Sequence, residues 1–275
     1  MARHPLYVVD AFGSRPFTGN PAAVCLLRRS LPDETLQAVA AEMNLSETAF
    51  VRSPDDDLFA ATRFDLRWFT PTIEVDLCGH ATLAAAKVLY DELGTATNPL
   101  PFDTRSGPLL ARPKDRLIEI ELPSAVPVSV APPSGLAGVL GTEEVGTTLA
   151  HQSTLVVRYE SERTVRALRP DFRRLASELS TYPFVVATAP GAAPVDLVSR
   201  CFAPMVGIDE DPVTGAAHAV LGPYWAAVLG KTHLRAHQAS RRGGDLELEI
   251  RSDGRIGLAG RSRIVLRGYL DLPGS

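Results

Sequence analysis

The sequence predicts an α+β protein built from two similar halves. In each half, a Pro-Asp helix start precedes a strand-like run, and a glycine then opens a helix rich in small residues. Pro32 and Gly79 are 47 residues apart in the first half, and Pro170 and Gly215 are 45 residues apart in the second. Elements recurring in one order at nearly equal spacing favour an internal duplication over chance repeats in an alanine-rich chain.

The first half alternates strand and helix patterns. Proline in the first turn and acidic residues at the positive end of the helix dipole predict a helix from Pro32. Apolar residues at positions 36, 39, 40 and 43 form one face of that helix. A loop is predicted over 13–23, and the strand patterns are Leu6–Val9, Ser46–Val51, Phe64–Thr70 and Leu117–Pro123.

The second half repeats this pattern with a strand at Tyr182–Thr188 and a helix from Thr214. A hairpin is predicted around Gly254, and a last strand at Arg263–Leu270. Because 123–146 is rich in proline and glycine, it is taken as the crossing between domains. The predicted domains are therefore 1–122 and 123–262, with the option that the strand within 263–275 returns to the first.

The composition of the chain limits which partners we expect it to bind and in which compartment we expect it. The net charge of −4 gives no electrostatic footprint for nucleic acid. No apolar run approaches the roughly 20 residues of a membrane helix. Three widely spaced cysteines argue against a disulfide framework and for a reducing cytosol. We therefore expect a cytoplasmic protein that binds neither nucleic acid nor membrane.

Two glycine-led helices predict an anion site. A helix N-terminus presents unpaired N–H groups and about half a positive charge. Two such ends facing one cleft would hold a carboxylate, and the glycines at their starts, Gly79 and Gly215, let the backbone approach closely. The alternative is that both are ordinary buried helices with glycine at their starts, and composition alone favours that interpretation.

Three polar residues near these helix starts are candidates for catalysis, each with a structural alternative. His80 lies on the first turn of one helix, although a lone histidine is more often structural. Asp211 precedes the other helix, where a turn or capping carboxylate is equally expected. Glu47 lies in an apolar strand pattern, where desolvation would raise its pKa toward neutrality and suit a group that takes and returns a proton. Cys78 is a candidate at the helix start or a packing residue.

Four sequence blocks together carry a resemblance to a known family. They are VDAFGSRPFTGNPAAV, MNLSETAFV, RWFTPTIEVDLCGHATLAAA and DEDPVTGAAHAVLGPYWAAVLGKTHLRAHQASRRGG. In content and order they resemble the PhzF family of phenazine biosynthesis-like isomerases, which shares the diaminopimelate epimerase fold. The resemblance implies two pseudo-symmetric domains, each a mostly antiparallel sheet wrapped round a central helix, with the active site in the cleft between them.

The resemblance also implies residue roles. Glu47 matches the glutamate that moves a proton between two carbons of the substrate, and His80 and Asp211 match the residues that assist it. Gly215 and Ala216 match the backbone donors to the substrate carboxylate. Asn20 lines the site by resemblance only, and a homodimer is expected on the same ground.

Two departures from the family pattern affect the expected chemistry. In the family, a serine usually follows the DPVTG motif that ends at Gly215. This chain has Ala216 there, so only the backbone N–H group remains to bind the carboxylate. The related epimerases use a pair of cysteines. Cys78 matches the first of these cysteines. The DPVTG block before the second helix has no cysteine at the position of the other, and Cys201 does not align with that position. A two-thiol racemase is therefore not expected.

The sequence thus predicts an isomerase that needs no cofactor and moves a proton on a small carboxylate-bearing metabolite by glutamate acid–base catalysis. Neither a metal-binding motif nor a close cluster of His, Cys and Asp is visible, so no metal site is predicted. Two alternatives stay open. One is a C–C hydrolase or epimerase of an amino-acid-derived intermediate, with Cys78 taking part. The other is a non-catalytic carboxylate-binding protein.

Overall fold

The structure, a computed structural model, describes residues 2–272 and divides them into two compact units. Unit 2 is Pro123–Leu258, and unit 1 comprises the described residues before and after it. The ends of the predicted domains at residue 1 and at residues 273–275 lie outside the described residues. No helix in residues 2–272 is long and apolar enough to cross a membrane.

The described chain contains short helices and many strands. The helices are α1 Asp33–Met43, α2 Gly79–Glu92, α3 Leu136–Leu140, α4 Glu162–Ala167, α5 Phe172–Glu178 and α6 Gly215–Leu229, with a 3-10 turn at Pro204–Val206. The strands are β1 Ala2–Ala11, β2 Asn20–Leu27, β3 Glu47–Arg52, β4 Phe64–Phe69, β5 Glu74–Val75, β6 Leu100–Thr104, β7 Gly107–Lys114, β8 Leu117–Pro123, β9 Val128–Ser129, β10 Thr147–His151, β11 Thr154–Arg158, β12 Phe184–Pro190, β13 Leu197–Ala203, β14 Ile208–Asp211, β15 His233–Gln238, β16 Gly244–Ile250, β17 Arg255–Gly260 and β18 Ser262–Leu272.

Unit 1 is a mostly antiparallel sheet around one helix. β1 pairs antiparallel with β18 on one side and with β2 on the other. β2 is parallel to β3, β3 is antiparallel to β4, and β4 is antiparallel to β5 and parallel to β6. β6, β7 and β8 complete the sheet as an antiparallel series.

The central helix of unit 1 is α2. It contacts β1, β2, β3, β7 and β18, so strands from both ends of the sheet reach it. Ten of its fourteen residues are buried, including a run of alanines whose small side chains let the sheet approach closely. α1 packs on the opposite face of the sheet through Leu36, Val39 and Ala40, which join a buried cluster that includes Phe50 and Phe69.

Unit 2 repeats the pairing order of unit 1. β11 is parallel to β12, β12 is antiparallel to β13, and β13 is antiparallel to β14 and parallel to β15. The small-residue helix α6 comes between β14 and β15, as α2 comes between β5 and β6. Element for element, the same connections recur, which confirms the predicted duplication and the two pseudo-symmetric domains.

Most of the predicted elements are present, with one clear correction. The loop predicted over 13–23 is too long, because β2 begins at Asn20 and pairs antiparallel with β1 from Asn20↔Ala11 onward. Glycine, proline and small residues hid this strand, and only its backbone pairing defines it. The stretch 123–146, taken as a crossing, contains β9 and α3, and both lie in unit 2.

Candidate functional site

The predicted site residues of unit 1 meet on one face of its sheet. β2 and β3 run parallel with Ala22 opposite Glu47, and Asn20 is two residues before Ala22 on the same side of β2. α2 packs on this face, and Cys78 is its N-cap residue. Strand pairing and helix packing therefore bring Asn20, Glu47 and the first turn of α2 together, although they are far apart in sequence.

The position of Asn20 depends on a glycine. Gly19 has φ +74°, and a Cβ atom there would lie 2.2 Å from the backbone oxygen of Ala11. Any other residue would therefore be strained and would push β2 away from β1. The loop before it is held by Asp10, a buried carboxylate that accepts the Phe17 N–H at 2.7 Å.

His80 is the centre of the cluster. Its Nε2 atom lies 3.2 Å from Oε2 of Glu47, and these two side chains are only 6% and 15% exposed. The contact is at ion-pair distance but does not meet the angular requirement for a hydrogen bond. Burial lowers the pKa of His80 to about 3, so the imidazole is neutral at physiological pH.

The other ring nitrogen defines the tautomer. Asn20 donates from Nδ2 to Nδ1 of His80 at 3.3 Å, and Ser46 donates to Oδ1 of Asn20 at 3.3 Å. Because an amide nitrogen only donates, Nδ1 must accept, and the single proton of the neutral ring is then on Nε2. Ser46 and Asn20 thus place the ring proton on Nε2, the nitrogen on the Glu47 side of the imidazole.

Cys78 approaches the same histidine from the helix start. Its Sγ atom lies 3.4 Å from Nδ1 of His80, and the residue is buried. Its backbone oxygen accepts from the Thr82 hydroxyl at 2.6 Å and from the Thr82 N–H at 3.1 Å, which fixes the first turn of α2. The N–H groups of Gly79, His80 and Ala81 precede the first intrahelical bond and are directed out of the helix end.

The cluster was not foreseen as a set of metal ligands. Glu47, Cys78 and His80 each offer a donor atom within 4.8 Å of the others, a proximity that no motif in the sequence records. The packing of α2 against β3 brings these three donor atoms together. The thiol faces Nδ1 of His80 and the carboxylate faces Nε2, and the absence of a metal site stays a prediction.

The remaining predicted residues lie in unit 2, around the start of α6. Asp211 ends β14, and its carboxylate accepts the Thr214 hydroxyl. Gln238, fully buried, accepts the Thr214 N–H at 2.8 Å and donates to the Asp211 backbone oxygen at 2.7 Å. Asp211 therefore stabilises the turn before the helix, as its structural alternative expected. Gly215 is buried and Ala216 is exposed on the first turn of α6.

Several neighbours of the site were missed from sequence. Cys201 does not align with the epimerase cysteine in sequence, yet it lies opposite Asp211 across the β13–β14 ladder. Burial and the Asp211 carboxylate raise its pKa to about 12, so it stays a thiol. Ser46 directly precedes Glu47 in the sequence, and this position could have indicated that Ser46 lies near the site, where it contacts Asn20. The long separation between Gln238 and Asp211 offered none.

Comparison with known proteins agrees with this architecture. The profile of the family described as phenazine biosynthesis-like protein, PhzC-PhzF, matches residues 9–268. An uncharacterized isomerase of Pseudomonas aeruginosa is 46% identical over 267 residues, covering 97% of this chain and 98% of that protein. Phenazine biosynthesis-like domain-containing protein 2 of Mus musculus is 42% identical, covering 97% of this chain and 98% of its own.

Solved structures give the same result. A PhzF family protein of Enterococcus faecalis superposes with a TM-score of 0.92 at 39% identity, covering 98% of this chain and all of that one. A hydroxyproline epimerase of Agrobacterium vitis has a TM-score of 0.58 at 9% identity, covering 98% of this chain and 92% of that one, and so shares the fold alone. The chain therefore belongs to the phenazine biosynthesis-like family, PhzC-PhzF.

Proposed function

We propose that this member of an isomerase family moves a proton between two carbons of a small carboxylate-bearing metabolite, with Glu47 as the base and acid. The observation that carries the proposal is the 3.2 Å approach of the Glu47 carboxylate to Nε2 of His80 in a largely buried setting. Nε2 of His80 is buried and makes no hydrogen bond among the described residues. A buried donor left unmet next to a carboxylate is typical of a site that completes its contacts with a ligand.

The proposed reaction balances without a cofactor. Glu47 takes a proton from a carbon next to an activating group, and the electron pair of the broken C–H bond enters the adjacent π system. The resulting carboxylic acid returns the proton to a second carbon, so substrate and product have the same composition. Acid–base catalysis of this kind contributes roughly 10²–10⁴-fold to a rate.

The neutral His80 has a defined part in this scheme. Its Nε2–H can donate to the Glu47 carboxylate or to negative charge that develops on the substrate, and because burial lowers its pKa the ring carries no imidazolium proton at neutral pH. The free N–H groups of Gly79 and Ala81 at the positive end of α2 suit the substrate carboxylate. The roles that the resemblance implies for Asp211, Gly215 and Ala216 remain predictions.

The test is proton exchange with solvent. The protein is incubated in D₂O with a library of small unsaturated and amino-acid-derived carboxylates, and mass gain is measured. Glu47→Gln keeps the size of the side chain and should abolish the gain while carboxylate binding persists. Glu42→Gln, which changes an exposed carboxyl on α1, is the matched control and should behave as the native protein does.

Each outcome of this test discriminates between functions. Exchange that survives in Glu47→Gln removes Glu47 from the mechanism. Binding of carboxylates without any turnover or exchange in the native protein favours the non-catalytic carboxylate-binding protein instead. A homodimer is proposed from the resemblance alone, and light scattering of the purified protein tests it.

A second candidate function rests on Cys78. Its Sγ atom is 3.4 Å from Nδ1 of His80 at the N-terminus of α2, so the thiol can donate its proton to that ring nitrogen. This contact favours an epimerase or C–C hydrolase in which the thiol takes part. Inactivation by iodoacetamide with protection by substrate, together with loss of turnover in Cys78→Ser, would support it. Full turnover in Cys78→Ser would exclude it.

A further inference from the structure

Unit 1 contains a surface cavity that the proposed reaction does not use. Its volume is about 310 Å³, and its cationic lining residues are Lys87, Arg116, Arg261, Arg263 and Arg267. We call it the basic cavity. Asp91 is its one acidic lining residue. A concentration of positive charge on a chain of net charge −4 is not expected from composition.

Three of the five cations have no partner of their own. Lys87 pairs with Asp91 at 2.8 Å, and Arg267 pairs with Glu92 at 2.9 Å. The side chains of Arg116, Arg261 and Arg263 make no ion pair and no hydrogen bond within residues 2–272. Single unpaired arginines are common on protein surfaces, but three around one cavity repel one another unless an anion lies between them.

The fold brings these residues together from distant segments. Arg116 is in the turn between β7 and β8, Lys87 is on α2, and the other three are on or beside β18. The β1–β18 ladder has a bulge between Val8 and Val9. Because a bulge shifts the alternation of side chains by one residue, Arg267 lies on the same sheet face as Ser262, the face that α2 covers.

A hydroxyl group at the cavity also lacks a partner. Ser262 lines the cavity, and its Oγ atom is buried without a hydrogen-bond partner in the described chain. That atom is inaccessible to solvent, so it cannot reach an occupant of the open cavity. The exposed and unpaired guanidinium groups are therefore the donors that point to an oxygen-rich anion.

We propose that the basic cavity binds a phosphorylated small molecule, separately from the Glu47–His80 site. Guanidinium groups bind phosphoryl oxygens through paired N–H donors. A tetrahedral phosphoryl group accepts from several directions, which suits donors arriving from β18, from α2 and from the β7–β8 turn, whereas a planar carboxylate accepts in one plane. The volume exceeds that of one phosphate and fits a diphosphate or a phosphorylated metabolite.

Inorganic pyrophosphate is the probe for this proposal. Isothermal titration calorimetry at about 0.15 M ionic strength should give a dissociation constant below about 1 mM for the native protein. The double variant Arg116→Gln/Arg261→Gln should bind about 100-fold more weakly, because it loses two charge-assisted contacts worth about tenfold each. Arg28→Gln/Arg29→Gln, which removes the same charge from exposed residues outside the cavity, is the matched control and should bind as the native protein does.

The outcomes are distinct from those of the isomerase test. Circular dichroism establishes that each variant is folded, and deuterium exchange should be the same in all of them because neither arginine is in the Glu47 cluster. Absence of pyrophosphate binding to the native protein overturns the proposal, as does equal weakening in the two double variants. Citrate, titrated in parallel, should bind at least tenfold more weakly, and equal affinity for citrate overturns the choice of a phosphoryl ligand.

Discussion

Lowering the pH should destabilise unit 1 through His80. The pKa of this histidine is about 3 in the folded protein and 6.5 in the unfolded chain, because burial disfavours the imidazolium. As the pH falls below 6.5, the unfolded state takes up a proton that the folded state does not. The contribution of the neutral ring is therefore fully present above pH 6.5 and is lost as the pH falls toward 3. One proton corresponds to about 1.4 kcal/mol per pH unit, or about 3 kcal/mol between pH 6.5 and 4.5.

The assay compares native protein with His80→Gln in a common Trp225→Phe background. Trp68 of unit 1 is then the sole tryptophan, and its fluorescence follows urea unfolding of that unit. Glutamine is polar but does not titrate, so the difference in unfolding free energy between the two proteins reports His80 alone. We expect that difference to change by about 3 kcal/mol from pH 7 to pH 4.5, with the native protein losing more.

The control is His233→Gln, which changes a side chain that is 71% exposed. An exposed ring stays in water in both states, so this variant should track the native protein at every pH. A difference between native protein and His80→Gln that is constant from pH 7 to pH 4.5 would refute the reasoning. It would mean that His80 takes up its proton over the same pH range in the folded protein as in the unfolded chain.

Two further substitutions test packing and ligand binding in unit 2. Ala216→Ser should tighten carboxylate binding roughly tenfold, because the new hydroxyl donates to a charged group. Calorimetry measures the affinity, and Ala227→Ser in the last turn of α6 is the control. Unchanged affinity in Ala216→Ser counts against this placement of the anion. Gly222→Ala should lower the unfolding free energy by about 1–3 kcal/mol despite the better helix propensity of alanine, because the new Cβ would lie 2.4 Å from Cδ1 of Ile256. Adding Ile256→Val should recover much of that loss in urea unfolding, and a gain of stability in Gly222→Ala alone would contradict the packing argument.

Element positions were largely predictable because local pattern and capping signals are strong in this chain. The helix from Pro32, the strand at 117–123 and the glycine-led starts of α2 and α6 follow from periodicity and from the backbone preferences of proline and glycine. β2 was the exception. Its first residues resemble a loop, and its extended conformation comes from pairing with β1, which no local pattern records.

The candidate site likewise has features that the sequence indicates and features that only the fold determines. Glu47, His80 and Cys78 were identifiable as residue types near a helix start, but their mutual distances depend on the parallel pairing of β2 with β3 and on the packing of α2 over that face. The tautomer of His80 depends on Asn20, sixty positions away. Asp211 has two structural partners, Thr214 and Gln238. Thr214 is close to it in sequence, whereas Gln238 reaches it only through long-range folding.

The sequence by itself determined the duplicated α+β architecture, the two small-residue helices and the chemical groups available at their starts. These properties are set within a few residues, by side-chain size, backbone preference and hydrophobic period. Only the tertiary structure decided that Glu47 lies against Nε2 of His80, that Cys78 lies against Nδ1, and that unpaired arginines from separate segments surround one cavity. Contacts between distant segments depend on strand register, and a shift of one residue in a strand would turn its side chains to the opposite face.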